Sequence, residues 1–237
     1  VHVPTWLRGP MRALLDRYLG AGWLSRADQA ATWQPVSDIP ASELWTARCA
    51  ARGQLVDMIT QRSTAHRLSR GDPMDYAEAA RTGFDPGRLT IGFARRLATY
   101  KRLHLLALLP ERAIALLGGE RPIQFIFAGK AHPADADAKE IVRQLFALKR
   151  SPSVAGRAAF LEDYDMATAG QLVAGCDVWV NLPRPPLEAS GTSGMKAAMN
   201  GVPHLSIGDG WWAEAYNGRN GWLIESQTSP DDQAATD

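Results

Sequence analysis

The chain has 237 residues, with 26 Lys and Arg against 25 Asp and Glu for a formal net charge of +1, and 46% of its residues are hydrophobic. That is enough apolar material for a full-sized core, while 22% charged residues without a charge block argue against disorder and against a nucleic-acid-binding tail. No apolar run approaches the roughly 18 residues of a membrane span, and Cys49 and Cys176 stand far apart without CxxC spacing, so no disulfide scaffold or zinc ribbon is indicated. A soluble, cytoplasmic globular protein with no metal, membrane or nucleic-acid partner is expected. Val1 in place of an initiator Met, with no basic-then-apolar leader behind it, suggests a piece of a longer chain.

From Pro4 to about Leu68 the periodicity is helical. Trp6, Leu7, Met11, Leu14, Leu15 and Tyr18 recur at three-to-four spacing, and Gly20 offers a stop. A second long helix is expected to open at an N-capping Ser42 and to run through Leu44, Trp45, Cys49, Leu55, Ile59 and His66. Residues 69–87, rich in Gly, Pro and Asp, read as a linker that closes a helical segment spanning 1–87.

After Arg88 short apolar runs alternate with helical stretches, the rhythm of βα units and a parallel sheet. Strands are predicted at Leu89–Ala94, Ile123–Ala128, Ala158–Leu161, Val178–Val180, His204–Ile207 and Trp222–Ile224. Helices are predicted around Tyr100–Leu108, Arg112–Leu117, Ala136–Ala147, Ala167–Val173 and Met195–Asn200. The sheet domain spans 88–225, and the polar ending 226–237 reads as frayed. Because ligands of open α/β sheets sit outside the carboxyl ends of the strands, the residues just after each strand carry the interest.

Four cations, Arg95, Arg96, Lys101 and Arg102, follow the first strand, which suits an anion site and equally a solvated basic turn. After the second strand comes Phe127-Ala-Gly-Lys-Ala-His-Pro133, which fails the P-loop pattern; Gly129 could admit a ligand to the backbone, and His132 before Pro133 reads as a turn residue. After the third strand, Asp163 or Asp165 could do acid–base work or cap the next helix.

The stretch from Pro185 to Gly201 is the most informative. Small residues from Ala189 to Gly194 let a ligand approach the backbone, Thr192 and Ser193 offer hydroxyls, and a helix follows, so an anion-binding helix start is expected. Lys196 in its first turn would face unfavourable dipole polarity and partial desolvation, which favour a nucleophilic amine suited to a Schiff base; the other reading is a lysine whose head reaches solvent. Asp209-Gly-Trp-Trp212 after the fifth strand could form a carbohydrate platform or pack inside.

These segments together resemble the α-glucan (glycogen, starch or maltodextrin) phosphorylases of the short bacterial type, C-terminal part. The resemblance rests on Glu188-Ala-Ser-Gly-Thr-Ser-Gly-Met-Lys196, Gly92-Phe-Ala-Arg-Arg-Leu-Ala-Thr-Tyr-Lys-Arg102, Phe127 to Pro133 and Asp209 to Trp212, in the family's order, and runs from Val1 to about Ile224. It implies a Rossmann-like parallel sheet from a GT-B glycosyltransferase. It implies that Lys196 carries pyridoxal 5′-phosphate as a Schiff base, with Thr192, Ser193, Gly194 and Tyr164 at the cofactor. Arg95, Arg96 and Lys101 would hold inorganic phosphate, Glu188, Ser190 and Gly191 the glucosyl unit, and Lys196, Arg96 and Lys101 the chemistry. The implied reaction is retaining phosphorolysis of an α-1,4-glucan at its non-reducing end to α-D-glucose 1-phosphate, and a homodimer of the full-length protein is left open.

The resemblance places Val1 just after an Asn-Gly that contributes to the sugar site and Asp237 before the closing helices, so this chain alone is expected to be inactive yet to keep a cofactor site. Ser193-Gly194 stands where vertebrate-type enzymes have Gly-Asn, and Ala98-Thr99 replaces a polar pair of the longer enzymes, so their regulation does not carry over. Two competing readings stand beside this one. In nucleotide-sugar-dependent glycosyltransferases of the glycogen-synthase kind, a second Glu would fall at position 196, which here is Lys. A non-catalytic glucan-binding fragment would use its tryptophans.

Overall fold

The computed structural model describes residues 1–225 apart from 104, 106–109, 151–153 and 155; the polar ending 226–237 lies outside the described residues. Helices α1 (Val3–Trp6) and α2 (Gly9–Leu19) open the chain, and Gly20, with φ of +75°, turns it out of α2 as the sequence suggests. Met11, Leu14, Leu15 and Leu19 of α2 close over Leu7, Trp23 and Ala47 in a small satellite core. Two 3-10 segments, Trp23–Arg26 and Ala30–Asp38, lead into the 29-residue α3 (Ala41–Ser69).

Two expectations for this region are corrected. Helix α3 opens at Ala41 behind Pro40 and has no side-chain cap, so Ser42 is not the N-cap. Of the apolar positions expected along it, Leu55 and Ile59 are fully buried, but Trp45 is 61% exposed and Leu44 is exposed too. Arg48, Arg52 and Arg67 instead point inward beside Ala51, Leu55, Val56 and Ile59. Buried guanidinium groups are tolerated only where acceptors surround them. Arg48 donates to the carbonyls of Ala174 and Cys176 and, at 3.0 Å, to that of Asn200, while Arg52 reaches Asp177 at 2.7 Å. The supposed linker 69–87 contains a third correction, α4 (Met74–Gly83), which buries Tyr76, Ala77 and Ala80.

From there the strands arrive where the apolar runs place them: β1 (Thr90–Ala94), β2 (Gln124–Ala128), β3 (Ala158–Leu161), β4 (Val178–Asn181), β5 (His204–Ile207) and β6 (Gly221–Ile224). The intervening helices are α5 (Pro110–Gly118), α6 (Ala136–Arg150), α7 (Met166–Gly175), α8 (Thr192–Met199) and α9 (Trp211–Ala215). Of the helix expected over Tyr100–Leu108, the described residues show a 3-10 turn at Thr99–Lys101; positions 104 and 106–108 lie outside the description.

All six strands are parallel, in the order β3-β2-β1-β4-β5-β6, which makes this the Rossmann-like α/β sheet expected. The strand side chains alternate between two cores, as a doubly covered sheet requires. Ala94, Ile126, Ala128, Leu161 and Trp179 face α3, α4, α7 and α8, whereas Phe93, Phe127, Phe160, Val178 and Val180 face α5 and α6. The chain winds outward from β1 toward β3 and, in the other direction, from β4 toward β6. Loops leaving β1 and β4 therefore diverge and open a crevice at their carboxyl ends, the standard ligand position of such sheets.

Leu172 of α7 is fully buried in the first of these cores. Leu172→Ala should lower the unfolding free energy by about 3 kcal/mol in urea titrations, and Trp45→Ala, at an exposed position with only Arg52 beneath its ring, by no more than about 1 kcal/mol.

Candidate active site

The loops after β1, β3 and β4 enclose a cavity of about 460 Å³ in that crevice. Ala94, Arg95, Arg96, Tyr100 and Lys101 line it from the first loop, Tyr164 from the second, and residues 187–193 with Lys196 from the third. Of the residues that the family resemblance assigns to the site, all except Gly194 thus border one space, although the segments are up to about a hundred positions apart.

The basic run after β1 divides its labour. Arg102, in a left-handed conformation (φ +51°), is buried and donates to the carbonyl of Leu182 at 3.1 Å and of Pro183 at 3.3 Å, fastening the first loop to the β4 loop. Arg95 and Lys101 turn into the cavity and meet Glu188. Arg95 Nη1 donates to Glu188 Oε2 at 2.8 Å, and Lys101 Nζ donates to the same oxygen. Arg96 is exposed at the cavity wall. Burial alone would favour the neutral acid at Glu188, but the hydrogen bond from Lys101 and the charge of Arg95 outweigh it and hold the carboxyl below its ordinary value.

Backbone geometry presents Glu188. Asp209, after β5, accepts the Glu188 N–H at 2.9 Å, and the Trp211 N–H donates to the Ser190 carbonyl at 2.9 Å. Gly191 takes φ of +75°, where a side chain would be strained, and turns the chain into α8. Ser193 Oγ accepts from Arg95 Nη2 at 2.9 Å and from Trp179 Nε1 at 3.3 Å. Gly194 faces away from the cavity. A Cβ there would sit 2.7 Å from both His204 Cε1 and Trp211 Nε1, so this glycine allows α8 to pack on His204 of β5 and Trp211 of α9.

Helix α8 starts at Thr192, three residues before the expected Met195, and this moves Lys196 out of the first turn to the fifth helical position. The dipole argument for a perturbed amine therefore loses its force, and burial alone lowers the Lys196 pKa. The amine is half-buried, with its Nζ 3.7 Å from the centre of the Trp6 indole. Trp6 comes from the far end of the chain, and its part in the site had no local signal in the sequence. Tyr164 is pushed up to about 12 by burial, against the opposing charge of Arg95, so its hydroxyl stays protonated.

Four other expectations resolve outside the cavity. Gly129 is needed where the ends of β1 and β2 continue to pair, since a Cβ there would lie 2.2 Å from the Arg95 carbonyl oxygen. His132 accepts the Ala134 N–H at 3.2 Å as a turn residue, and Asp165 caps α7 by accepting the Thr168 N–H at 2.8 Å. Trp212 is buried and Trp211 packs on the His204 ring 5.5 Å away, so the paired indoles are packing groups rather than an open platform. His204 itself is pushed down to about 3 by burial and stays neutral.

Removing the Glu188 charge leaves two cations in a buried setting without a partner. Glu188→Gln should cost about 3 kcal/mol of unfolding free energy at pH 7. The sign follows from the lowered carboxyl: this stabilisation is present above the unfolded Glu value of about 4.3 and fades as pH falls through the folded value. Urea midpoints of wild type and variant should therefore differ at pH 7 and converge in acid.

Comparison with known proteins places this geometry. The family model for carbohydrate phosphorylases matches residues 78–217. The chain is 45% identical over 225 residues to a glycogen phosphorylase of Aquifex aeolicus, covering 94% of this chain and 32% of that protein. It is 43% identical over 231 residues to a maltodextrin phosphorylase of Thermococcus litoralis, covering 96% and 27%, and 44% identical to a glycogen phosphorylase of Mycobacterium tuberculosis, covering 100% and 27%. The chain spans about a third or less of the length of these relatives. With β1, β4 and α8 forming the core of the matched region, the chain belongs to the carbohydrate phosphorylase family.

Proposed function

We propose that this chain supplies the cofactor and phosphate side of an α-glucan phosphorylase. The observation that carries the reading is the cavity itself, in which the half-buried amine of Lys196 shares one wall system with Arg95, Arg96 and Lys101. The names of the relatives, glycogen phosphorylase and maltodextrin phosphorylase, support an α-1,4-glucan as substrate.

The residues present fit pyridoxal 5′-phosphate. An amine withdrawn from water is biased toward its neutral, nucleophilic form, and Thr192, exposed, and Ser193 open α8 at the cavity wall, where the first N–H groups of a helix have no intrahelical acceptor. Arg95 Nε is buried without a hydrogen-bond partner among the described residues, a donor left over beside the Glu188 pair. Lys196 would hold the cofactor covalently, with Thr192 and the α8 N–H groups at its phosphate and Tyr164 beside it; Ser193 would support from below, its hydroxyl engaged by Arg95. When bound, the cofactor supplies a phosphate group that exchanges a proton with the substrate phosphate.

The chain's own groups then have distinct tasks. Two cations against one carboxylate leave a positive excess at Arg95 and Lys101, and the exposed Arg96 adds a planar fork suited to inorganic phosphate. Glu188, Ser190 and Gly191 form the rim where the glucosyl unit would lie, its backbone presented by the β5 turn. Phosphate held next to the anomeric carbon would give its proton to the glycosidic oxygen, which leaves as the 4-hydroxyl of the shortened glucan, and bond through its own oxygen to the anomeric carbon from the same face, giving glucose 1-phosphate with retained configuration from the non-reducing end. Phosphorolysis is assigned to the full-length protein, and this chain alone should be inactive while keeping the cofactor site.

Borohydride reduction of the protein supplied with pyridoxal phosphate, followed by peptide mapping, should place the label on Lys196 and nowhere in Lys196→Ala. In the full-length protein, maltodextrin plus phosphate should yield glucose 1-phosphate, and Arg96→Ala should raise the KM for phosphate about tenfold or more, the loss of one charge-assisted contact. Label absent from Lys196, or glucosyl transfer from ADP-glucose with no phosphorolysis, would overturn the proposal.

A further inference from the structure

The Lys196 amine owes its surroundings to a residue that touches neither the cavity nor the amine. Asn200, fully buried, terminates α8 one turn beyond Lys196. Its side-chain amide makes three hydrogen bonds, which tie α8 to the opposite end of the chain. Oδ1 accepts the Arg8 N–H at 3.2 Å, and Nδ2 donates to the Trp6 carbonyl at 2.8 Å and to the Lys196 carbonyl at 2.9 Å. One planar group therefore bonds the backbone on both sides of Leu7 and the backbone of Lys196 itself. The Asn200 carbonyl is in turn held by Arg48 at 3.0 Å, which fixes the amide to α3.

Helix α1 has four residues, too few to hold its own shape in water. Its register on α8 must come from outside, and the Asn200 bonds are polar contacts of defined geometry that supply it. The consequence lies in the bonded residue itself, since the centre of the Trp6 indole stands 3.7 Å from Lys196 Nζ. Asparagine is well suited here, since Asp would lose both donors and Leu all three bonds.

We infer that Asn200 is a positioning residue that holds the Trp6 indole against the Lys196 amine and so sets how far the amine is withdrawn from water. Its bearing on catalysis rests on the proposed cofactor role of Lys196, whereas the positioning itself does not.

The test uses the full-length protein, cleared of any bound cofactor with hydroxylamine and carrying 13C-labelled lysine, in which the Lys196 signal is identified by its loss in Lys196→Arg. In Asn200→Ala the titration midpoint of Lys196 should move upward toward that of an ordinary lysine, because the indole no longer shields the amine. Trp6→Leu should move it the same way, and the double variant no further than Trp6→Leu alone. An unmoved midpoint in folded Asn200→Ala, or shifts that add in the double variant, would overturn the inference. If Asn200→Ala does not fold, as judged by circular dichroism, Asn200→Ser is read in the same cycle. Attachment of pyridoxal phosphate, followed separately by absorbance, should slow several-fold in the Asn200 variant. A wild-type protein that fails to take up the cofactor while the midpoints behave as stated would sink the cofactor role and leave the positioning intact.

Discussion

The arrangement at the crevice depends on one buried carboxylate. Strands β1 and β4 are neighbours, but the chain leaves them in opposite directions, so nothing in the sheet's backbone ladder keeps their following loops together. Glu188 on the β4 loop, held between Arg95 and Lys101 of the β1 loop, does this with charge. A buried ion pair of this kind adds little net stability over an apolar contact of the same volume, yet it tolerates only one relative placement of the loops. The β5 turn joins the same unit through Asp209 and Trp211, so three strand ends are locked around the cavity.

The helical segment before the sheet is part of this construction rather than a preface to it. Arg48 and Arg52 of α3 reach over the sheet to the carbonyls that end α7 and α8 and to Asp177 before β4. A cation at a helix carboxyl end is favoured by the helix dipole and satisfies carbonyls that no intrahelical donor can reach. Through Asn200 the same network extends to α1, whose Trp6 meets the Lys196 amine, so the surroundings of that amine draw on residues nearly two hundred positions apart.

What was legible in the sequence follows from this division. Apolar runs bounded by turns located all six strands within a residue or two, because a parallel strand covered on both faces, as the inner ones are, is largely apolar along its length; β6, at the edge, keeps the pattern although Trp222 and Leu223 are exposed. The residues that border the cavity were also legible, since in such a sheet they must follow the strands. The inward arginines of α3 were not, because periodicity assigns Arg to the outside, and only the tertiary position of the α7 and α8 carbonyls reverses it. Helix α4 was hidden by flanking Gly, Pro and Asp, and the start of α8 was placed late because Thr192, Ser193 and Gly194 have poor helix propensity. Trp6 and Asn200 act through contacts nearly two hundred positions apart, which no local pattern encodes.

The glycine at 194 shows that one position of a motif can carry a packing role that its neighbours in sequence do not reveal. Read in line, it belongs with the small residues that let a ligand reach the backbone. In space it fits α8 against His204 and Trp211, and the conformational freedom is needed at Gly191. The distinction matters for the charge balance of the cavity. On the proposed reading two phosphates share a space lined by Arg95, Arg96, Lys101 and Lys196, and cations so crowded would repel one another whenever the phosphates leave. Glu188 supplies a fixed counter-charge between two of them, and its backbone is pinned by Asp209 while Gly194 lets α8 seat firmly beneath Lys196. The overall charge of +1 therefore conceals a local excess that the fold can hold in place with or without its anionic ligands.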